Sequence, residues 1–97
     1  MKSLLVLILA FQLQNSSVSF TLRNNSAESI PLVIPGVMNP NLSPFSNSGV
    51  ELKVGQKIFF KHKKKRYLLF TVSEDLENQK LIVNRLIKEQ KKALGFK

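Results

Sequence analysis

The chain has 97 residues, of which 15 are Lys or Arg and 6 are Asp or Glu, so its formal net charge at pH 7 is +9. It contains no cysteine and one histidine, which excludes disulfide bonds within the chain and metal sites built from several thiolate or imidazole ligands. The length suits one domain and is too short for two.

The first nineteen residues, MKSLLVLILAFQLQNSSVS, have the pattern of a secretory signal peptide. Lys2 gives a short positive region, Leu4 to Phe11 is an unbroken apolar run, and Ser17 and Ser19 suit a small-x-small cleavage site. We predict cleavage after Ser19, with a cut after Ser17 as the alternative. A membrane-spanning helix needs roughly 20 apolar residues, so a permanent anchor is disfavoured. A buried core element is the remaining alternative.

Removal of residues 1–19 leaves one domain, residues 20–97, whose net charge is one unit below +9, namely +8, because Lys2 is lost. An exported domain of this size without disulfides is more typical of the bacterial periplasm or cell surface than of eukaryotic secretion. We expect a soluble product, with at most peripheral membrane contact. The Asn-x-Ser triplets at Asn24 and Asn41 are then interpreted as chance matches and not as glycosylation sites.

The first two predicted strands cover residues 20–23 and 30–34, where apolar residues alternate with others. Turn-forming residues at positions 24–29 separate them. Pro31 predicts that the second strand lies at a sheet edge, because proline cannot donate a hydrogen bond to a neighbouring strand.

Residues 35–49, PGVMNPNLSPFSNSG, are predicted to form a loop, since they include three prolines and two glycines. Fifteen residues without regular structure are long for a small domain, and such loops tend to be functional or disordered. Four apolar residues lie within it, Val37, Met38, Leu42 and Phe45. They either pin the loop onto the domain or form a protein-binding surface, as in an exported adaptor or inhibitor module.

After a strand at residues 50–54, the segments 57–61 and 66–72 are predicted to pair as a hairpin around Lys63 and Lys64. A two-residue turn there sets Phe60 opposite Tyr67 and Phe59 opposite Leu68. A longer loop is an equal alternative, because the segment lacks the Gly, Asn or Asp that short turns prefer.

Simple alternation makes both faces of this hairpin apolar. One face carries Ile58, Phe60, Tyr67 and Leu69, and the other carries Phe59, Leu68, Phe70 and Val72. We therefore expect the hairpin to lie at the centre of the fold, with another element covering its second face.

A C-terminal amphipathic helix is predicted at about residues 84–94, with Asn84 as its N-terminal cap and Gly95 ending it in a left-handed conformation. A short strand at residues 81–83 precedes it. The predicted fold is mostly β, a small antiparallel β-sandwich or open barrel of five or six strands with one C-terminal helix.

Catalytic and metal sites are disfavoured by the residue inventory. Glu74, Asp75 and Glu77 do not match the spacing of a calcium loop, and we interpret them as a turn that can neutralise nearby basic groups. His62 is interpreted as a solvated turn residue, because the lysines on either side disfavour its protonated form. No nucleophile elbow and no glycine-rich phosphate loop occur. We predict no enzymatic activity, no metal and no cofactor.

The stretch KHKKKR, residues 61–66, places five cations in six positions at the predicted turn. It is either a solvated turn that discourages edge-to-edge aggregation or an anion-binding site, to which the basic helix face contributes if it lies on the same side. The candidate anion-binding residues are Lys61, Lys63, Lys64, Lys65, Arg66, Lys88, Lys91 and Lys92.

Export determines the partner that these cations would meet. Outside the cytoplasm the available polyanions are phosphate-bearing lipid, lipopolysaccharide and acidic polysaccharide, and nucleic acid is not expected. The sequence therefore predicts an exported, non-enzymatic binding module with a basic patch for an anionic envelope component. The alternatives are an exported protein-interaction or inhibitor module that binds through residues 35–49, and a cytoplasmic nucleic-acid-binding protein if residues 1–19 are not a signal.

Overall fold

The computed structural model describes residues 16–96, so residues 1–15 of the predicted signal peptide lie outside the described part of the chain. The described strands are β1 (Ser17–Asn24), β2 (Ile30–Val33), β3 (Asn41–Leu42), β4 (Ser46–Lys53), β5 (Lys57–His62), β6 (Lys65–Thr71) and β7 (Lys80–Ile82). A short 3-10 helix covers Glu74–Leu76, and the α-helix α1 covers Val83–Ala93.

The strands form two sheets, with the orders β4-β1-β7 and β3-β2-β5-β6. Neighbouring strands are antiparallel except for β1 and β7, which are parallel. The protein is therefore mostly β, with two sheets and one C-terminal helix, as predicted. The seven strands of the described residues exceed the five or six expected, partly because β3 forms within the segment that was predicted to be a loop.

Both sheets contribute to one hydrophobic core. The rings of Phe20 in β1 and Phe70 in β6 meet edge to face with their centroids 6.2 Å apart. Leu86 and Ile87 of α1 pack against the same cluster. The fully buried apolar side chains, those less than 2% exposed, are Leu22, Leu32, Ile34, Leu42, Ile58, Phe60, Val72 and Val83. The alternation of apolar residues in β1, β2 and β5 therefore correctly identifies their core faces.

The last three residues of the predicted signal peptide belong to β1. Ser17, Val18 and Ser19 pair with residues 51–53 of β4, and Val18 is only 5% exposed in the core. A cut after Ser19 would remove Val18 from the core, whereas a cut after Ser17 would leave it as the first residue of the strand.

Residues 35–49 contain more regular structure than predicted. β2 leads into a tight turn in which the Val37 N–H donates to the Ile34 carbonyl at 3.0 Å and Gly36 adopts φ +76. β3 then pairs with β2, and β4 begins at Ser46 and pairs along its whole length with β1. The prediction of a fifteen-residue irregular loop is wrong, because the polar first half of β4 pairs through its backbone and gives no apolar alternation.

The position of β2 also differs from the prediction. Pro31 lies in a strand flanked by β3 on one side and β5 on the other, so β2 is not an edge strand. Its neighbour β3 has only two residues. A strand this short has no periodicity that could be recognised in the sequence.

A β-bulge in β6 changes which side chains face the core. Phe59 pairs with Leu68 and Ile58 pairs with Phe70, so Leu69 is an extra residue between the two pairs. The bulge reverses the alternation beyond it, and Phe70 and Val72 turn to the core side. The prediction that they share a face with Phe59 and Leu68 is therefore wrong. The outer face keeps few apolar side chains, and no covering element is required.

The helix starts and ends in different ways. It begins at Val83, directly after β7, one residue before the predicted cap. Asn84 does not cap it, because the Oδ1 atom of Asn84 accepts the Asn25 N–H at 2.9 Å. At the other end Gly95 has φ +80, and the Phe96 N–H donates to the Lys91 carbonyl at 2.8 Å, which confirms the predicted left-handed glycine terminus.

Candidate anion-binding surface

The β5–β6 hairpin ends in a two-residue turn. Lys63 and Lys64 are its central residues, and both have positive φ, +51 and +69, as in a type I′ turn. The register sets Phe60 opposite Tyr67 and Phe59 opposite Leu68, as predicted. The alternative of a longer, looser loop is therefore not what the chain adopts.

We call the five exposed cations around this turn the basic tip; they are Lys61, Lys63, Lys64, Lys65 and Arg66. Lys61 and Arg66 are direct cross-strand partners. Like charges placed directly opposite each other destabilise a strand pair. The basic tip therefore has two unfavourable features, left-handed backbone at non-glycine residues and uncompensated charge repulsion.

Relief of these two features should stabilise the protein. We expect the double variant Lys63→Asn, Lys64→Gly to raise the free energy of unfolding by about 1–2 kcal/mol, because Asn-Gly is the preferred type I′ dipeptide and two repelling charges are lost. Urea unfolding followed by circular dichroism would measure the change. The double variant Lys63→Gln, Lys64→Gln is the control, since it removes the charges and keeps the backbone strain. If wild type and the Asn-Gly variant have the same free energy of unfolding, the turn does not destabilise the protein and the interpretation of Lys63 and Lys64 as strained is wrong.

His62, next to the turn, is not the solvated residue that the sequence predicts. It is half-buried and stacks on Phe96 with ring centroids 4.6 Å apart and an interplanar angle of 14°. Tyr67 meets the Phe96 ring edge to face at 4.9 Å. Burial, and then the positive charges of Lys91 and Lys63, lower the pKa of His62 below its usual value of 6.5. The imidazole is therefore neutral at neutral pH and adds no charge to the basic tip.

The C-terminal end of α1 docks against the hairpin. Besides the Phe96 ring stack, the Gln90 side-chain amide donates to the Leu68 carbonyl at 3.1 Å. Leu68 belongs to β6, the outer strand of its sheet, so this hydrogen bond satisfies a backbone group at a sheet edge. Phe96 was not singled out from the sequence. Its position immediately after the helix-ending glycine, where a hydrophobic contact often accompanies this cap, is the signal that could have identified it.

Docking of α1 brings one helix cation to the hairpin. Lys91 lies near enough to His62 to affect its pKa, and it lines a pocket together with Lys61. Lys88 and Lys92 are exposed on α1, one turn apart. No hydrogen bond or ring contact within residues 16–96 joins either of them to the hairpin. Of the three helix cations, Lys91 is thus the one that the structure places next to the hairpin.

The pocket between α1, β5 and the β1–β2 turn, which we call the α1 pocket, has a volume of about 270 Å³. Lys61 and Lys91 are its cations and Glu28 is its carboxylate. Its other lining residues are Ser26, Ser29, Ile30, Pro31, Phe60, Asn84 and Ile87. The pocket therefore combines both charge signs, hydrogen-bonding groups and apolar surface at the junction of hairpin and helix.

The alternative protein-binding residues do not form one surface. Val37 and Met38 are 53% and 38% exposed on the turn after β2, whereas Phe45 is 60% exposed on the turn after β3. Leu42 is 1% exposed and packs in the core, so its side chain is not available to a partner. Of the four candidates, Phe45 is the aromatic one, and it has a left-handed backbone with φ +49.

The acidic segment lies in the 3-10 helix and the residue after it. The Glu77 carboxylate accepts the Ser19 N–H at 3.1 Å, and the Asp75 carboxylate accepts the Ser73 hydroxyl. These carboxylates thus bind groups at the β6–β7 connection and in β1. Among residues 16–96, no group of His, Asp and Glu side chains is arranged to hold a metal ion. The helices in this part of the chain are also too short or too polar to cross a lipid bilayer.

Comparisons with protein-family models, with curated proteins and with solved structures found no match to the chain. The chemistry of the basic tip and of the α1 pocket is therefore the basis for assigning a function.

Proposed function

We propose that the protein is an exported, non-enzymatic binding module whose basic tip binds an anionic component of the cell envelope. The ligand class is phosphate-bearing lipid, lipopolysaccharide or acidic polysaccharide. On this proposal the two sheets form a small β-sandwich or open barrel, which acts as a rigid scaffold that presents the tip. The N-terminal segment acts as a signal peptide, with Ser17 or Ser19 as its last residue, and places the module in the periplasm or outside a bacterial cell.

The observation that carries the proposal is that lysines occupy both strained positions of the type I′ turn. Solubility can be supplied by lysines at positions with ordinary backbone angles, as at Lys53 and Lys57. At the tip the same residue type costs backbone strain and charge repulsion. Strained residues kept at an exposed turn favour a functional role over a purely solvated one.

The electrostatics of the tip support the same conclusion. Its cations are exposed, and the carboxylates of Asp75 and Glu77 have partners at the β6–β7 connection and in β1. Lys91 adds a sixth cation close to the tip, beside a neutral His62. A cluster of uncompensated charge attracts phosphate- or carboxylate-bearing surfaces over a distance comparable with the Debye length, about 8–10 Å at physiological salt.

The test is salt elution from a lipopolysaccharide or heparin matrix. We expect the triple variant Lys63→Gln, Lys64→Gln, Lys65→Gln to elute at much lower salt than wild type, with its affinity reduced roughly a hundredfold, since each lysine near an anionic surface contributes about 1 kcal/mol. The matched control is Lys53→Gln, Lys57→Gln, Lys80→Gln, which removes three exposed lysines away from the tip.

The two triple variants carry the same net charge, so any difference between them reports position and not total charge. Their circular dichroism spectra and urea midpoints are compared first, to show that both are folded. If the tip variant and the control elute at the same salt concentration, the tip is not the binding site and the proposal fails.

A further inference from the structure

The α1 pocket has a lining that a simple anion does not need. Lys61 and Lys91 supply positive charge, but Glu28 places a carboxylate on the same pocket. No salt bridge joins Glu28 to either lysine within the described residues. A carboxylate repels phosphate and carboxylate groups, whereas it accepts hydrogen bonds from hydroxyl groups. The mixture therefore suits a ligand that carries both an acidic group and hydroxyl groups.

The remaining polar lining fits the same kind of ligand. The Oδ1 atom of Asn84 already accepts the Asn25 N–H, so the Asn84 amide presents its NH₂ group as a donor to an incoming oxygen. Ser29 is exposed and adds a hydroxyl that can donate or accept. Donors and acceptors at separate positions match the several hydroxyls of a sugar ring better than they match one compact anion.

The pocket also offers an apolar surface of limited size. Pro31 and Ile87 line it beside the polar groups and can contact the C–H face of a sugar ring. Its volume of about 270 Å³ lies just below the usual range for small-molecule sites, roughly 300–1,000 Å³. One sugar unit with one acidic group is therefore a better match than a lipid chain or a long oligosaccharide.

We infer that the α1 pocket binds a single sugar unit that carries an acidic group, held by Lys61 and Lys91 at the acid and by Glu28 and Asn84 at the hydroxyls. This inference rests on the proposed function and narrows its ligand to a glycan with phosphate or carboxylate substituents. The basic tip then attracts the polymer over a distance, and the α1 pocket recognises one of its units.

The test is a titration followed by amide chemical shifts in ¹H–¹⁵N NMR spectra. The probes are glucose 1-phosphate, glucuronate, glucose and inorganic phosphate. We expect glucose 1-phosphate or glucuronate to shift amides of residues 28–31, 60–61 and 84–91 and to bind at least fivefold more tightly than glucose or phosphate. Whichever of the two acidic sugars binds more tightly shows whether the pocket prefers a phosphate or a carboxylate group. No shift of these amides with either acidic sugar would overturn the inference.

Two variants separate sugar recognition from plain anion binding. Lys91→Gln should weaken the preferred acidic sugar about tenfold, because a charge-assisted hydrogen bond is lost. Glu28→Gln should weaken that sugar but leave inorganic phosphate equal or tighter, because repulsion is relieved. Tighter binding of both ligands by Glu28→Gln would overturn the role of the carboxylate. Lys57→Gln, which removes an exposed charge at the far end of β5, should change neither affinity.

The inference and the proposed function can fail separately. The matrix experiment measures the basic tip through Lys63, Lys64 and Lys65, which do not line the pocket. If the tip variant elutes at lower salt as expected but the acidic sugars do not shift the amides of the α1 pocket, only the inference of sugar recognition is refuted. Pocket binding of an acidic sugar with unchanged matrix elution of the tip variant would refute the role of the tip.

Discussion

Replacement of Asn24 by Ala is expected to lower the free energy of unfolding by about 3–5 kcal/mol, because buried carbonyl groups would lose their hydrogen-bond donor. Asn24 is the buried polar residue of the described core, with 0% exposure. Its NH₂ group donates to the carbonyls of Glu28, Leu42 and Ser43 at 2.7, 3.1 and 3.1 Å. Its Oδ1 atom accepts the Ser26 N–H at 3.0 Å. One side chain thus joins the end of β1 to two turns.

Urea unfolding of three variants would measure this contribution. Asn24→Asp has nearly the same shape but cannot donate, so it should lose at least as much stability as Asn24→Ala. Asn25→Ala is the matched control at the next position, where the side chain is exposed and accepts one long hydrogen bond of 3.4 Å from Arg23; it should change stability by less than about 0.5 kcal/mol. An Asn24→Asp variant as stable as wild type would contradict the donor role.

The importance of Asn24 could have been found in the sequence only through its position in β1. It continues the inward alternation of Val18, Phe20 and Leu22, two residues at a time. The local sequence indicates a different role, because Asn-Asn-Ser is typical of an exposed turn and also matches a glycosylation triplet. A side chain that is buried in the fold and bonded to Ser26 is not accessible for glycosylation, which agrees with the interpretation of that triplet as a chance match.

Local patterns predicted the elements whose residues interact with near neighbours. The β5–β6 register follows from two apolar cross-strand pairs and a short turn, and the helix end follows from Gly95. The bulge at Leu69 could not be predicted, because it accompanies a contact between Phe70 and Phe20 of the other sheet, which are far apart in the sequence. The first half of β4 was missed for a related reason, since its polar residues are ordered by pairing with β1.

The candidate site divides in the same way. The basic tip is a contiguous run of residues, so composition alone identified it. The α1 pocket joins the β1–β2 turn, β5 and α1, which are far apart in the chain. Of the three predicted helix cations, only Lys91 lines the pocket. Its position there depends on the stacking of Phe96 on His62, and no local sequence pattern predicts this contact between side chains 34 positions apart.

The start of β1 gives the second large prediction, which concerns the N-terminus of the mature protein. A chain that begins at Phe20 is expected to be about 3–4 kcal/mol less stable than one that begins at Val18. It loses the buried Val18 side chain, about 1.5–3 kcal/mol, and the backbone hydrogen bonds around Ser19, at about 1 kcal/mol each. The Ser19 N–H binds Glu77 and its carbonyl accepts the Asn78 N–H at 2.8 Å, so β1 also holds the β6–β7 connection.

Both chains can be released from a removable N-terminal fusion with defined first residues and compared by urea unfolding. A third chain that begins at Ser17 is the matched control and should be within about 0.5 kcal/mol of the Val18 chain, because Ser17 is exposed. On the proposed export, the mature chain that keeps Val18 is the more stable product, so we expect the exported protein to begin at Val18, the alternative cleavage site. Mass spectrometry of the exported product that finds Phe20 as its first residue would contradict this cut, and retention of Met1 would contradict export.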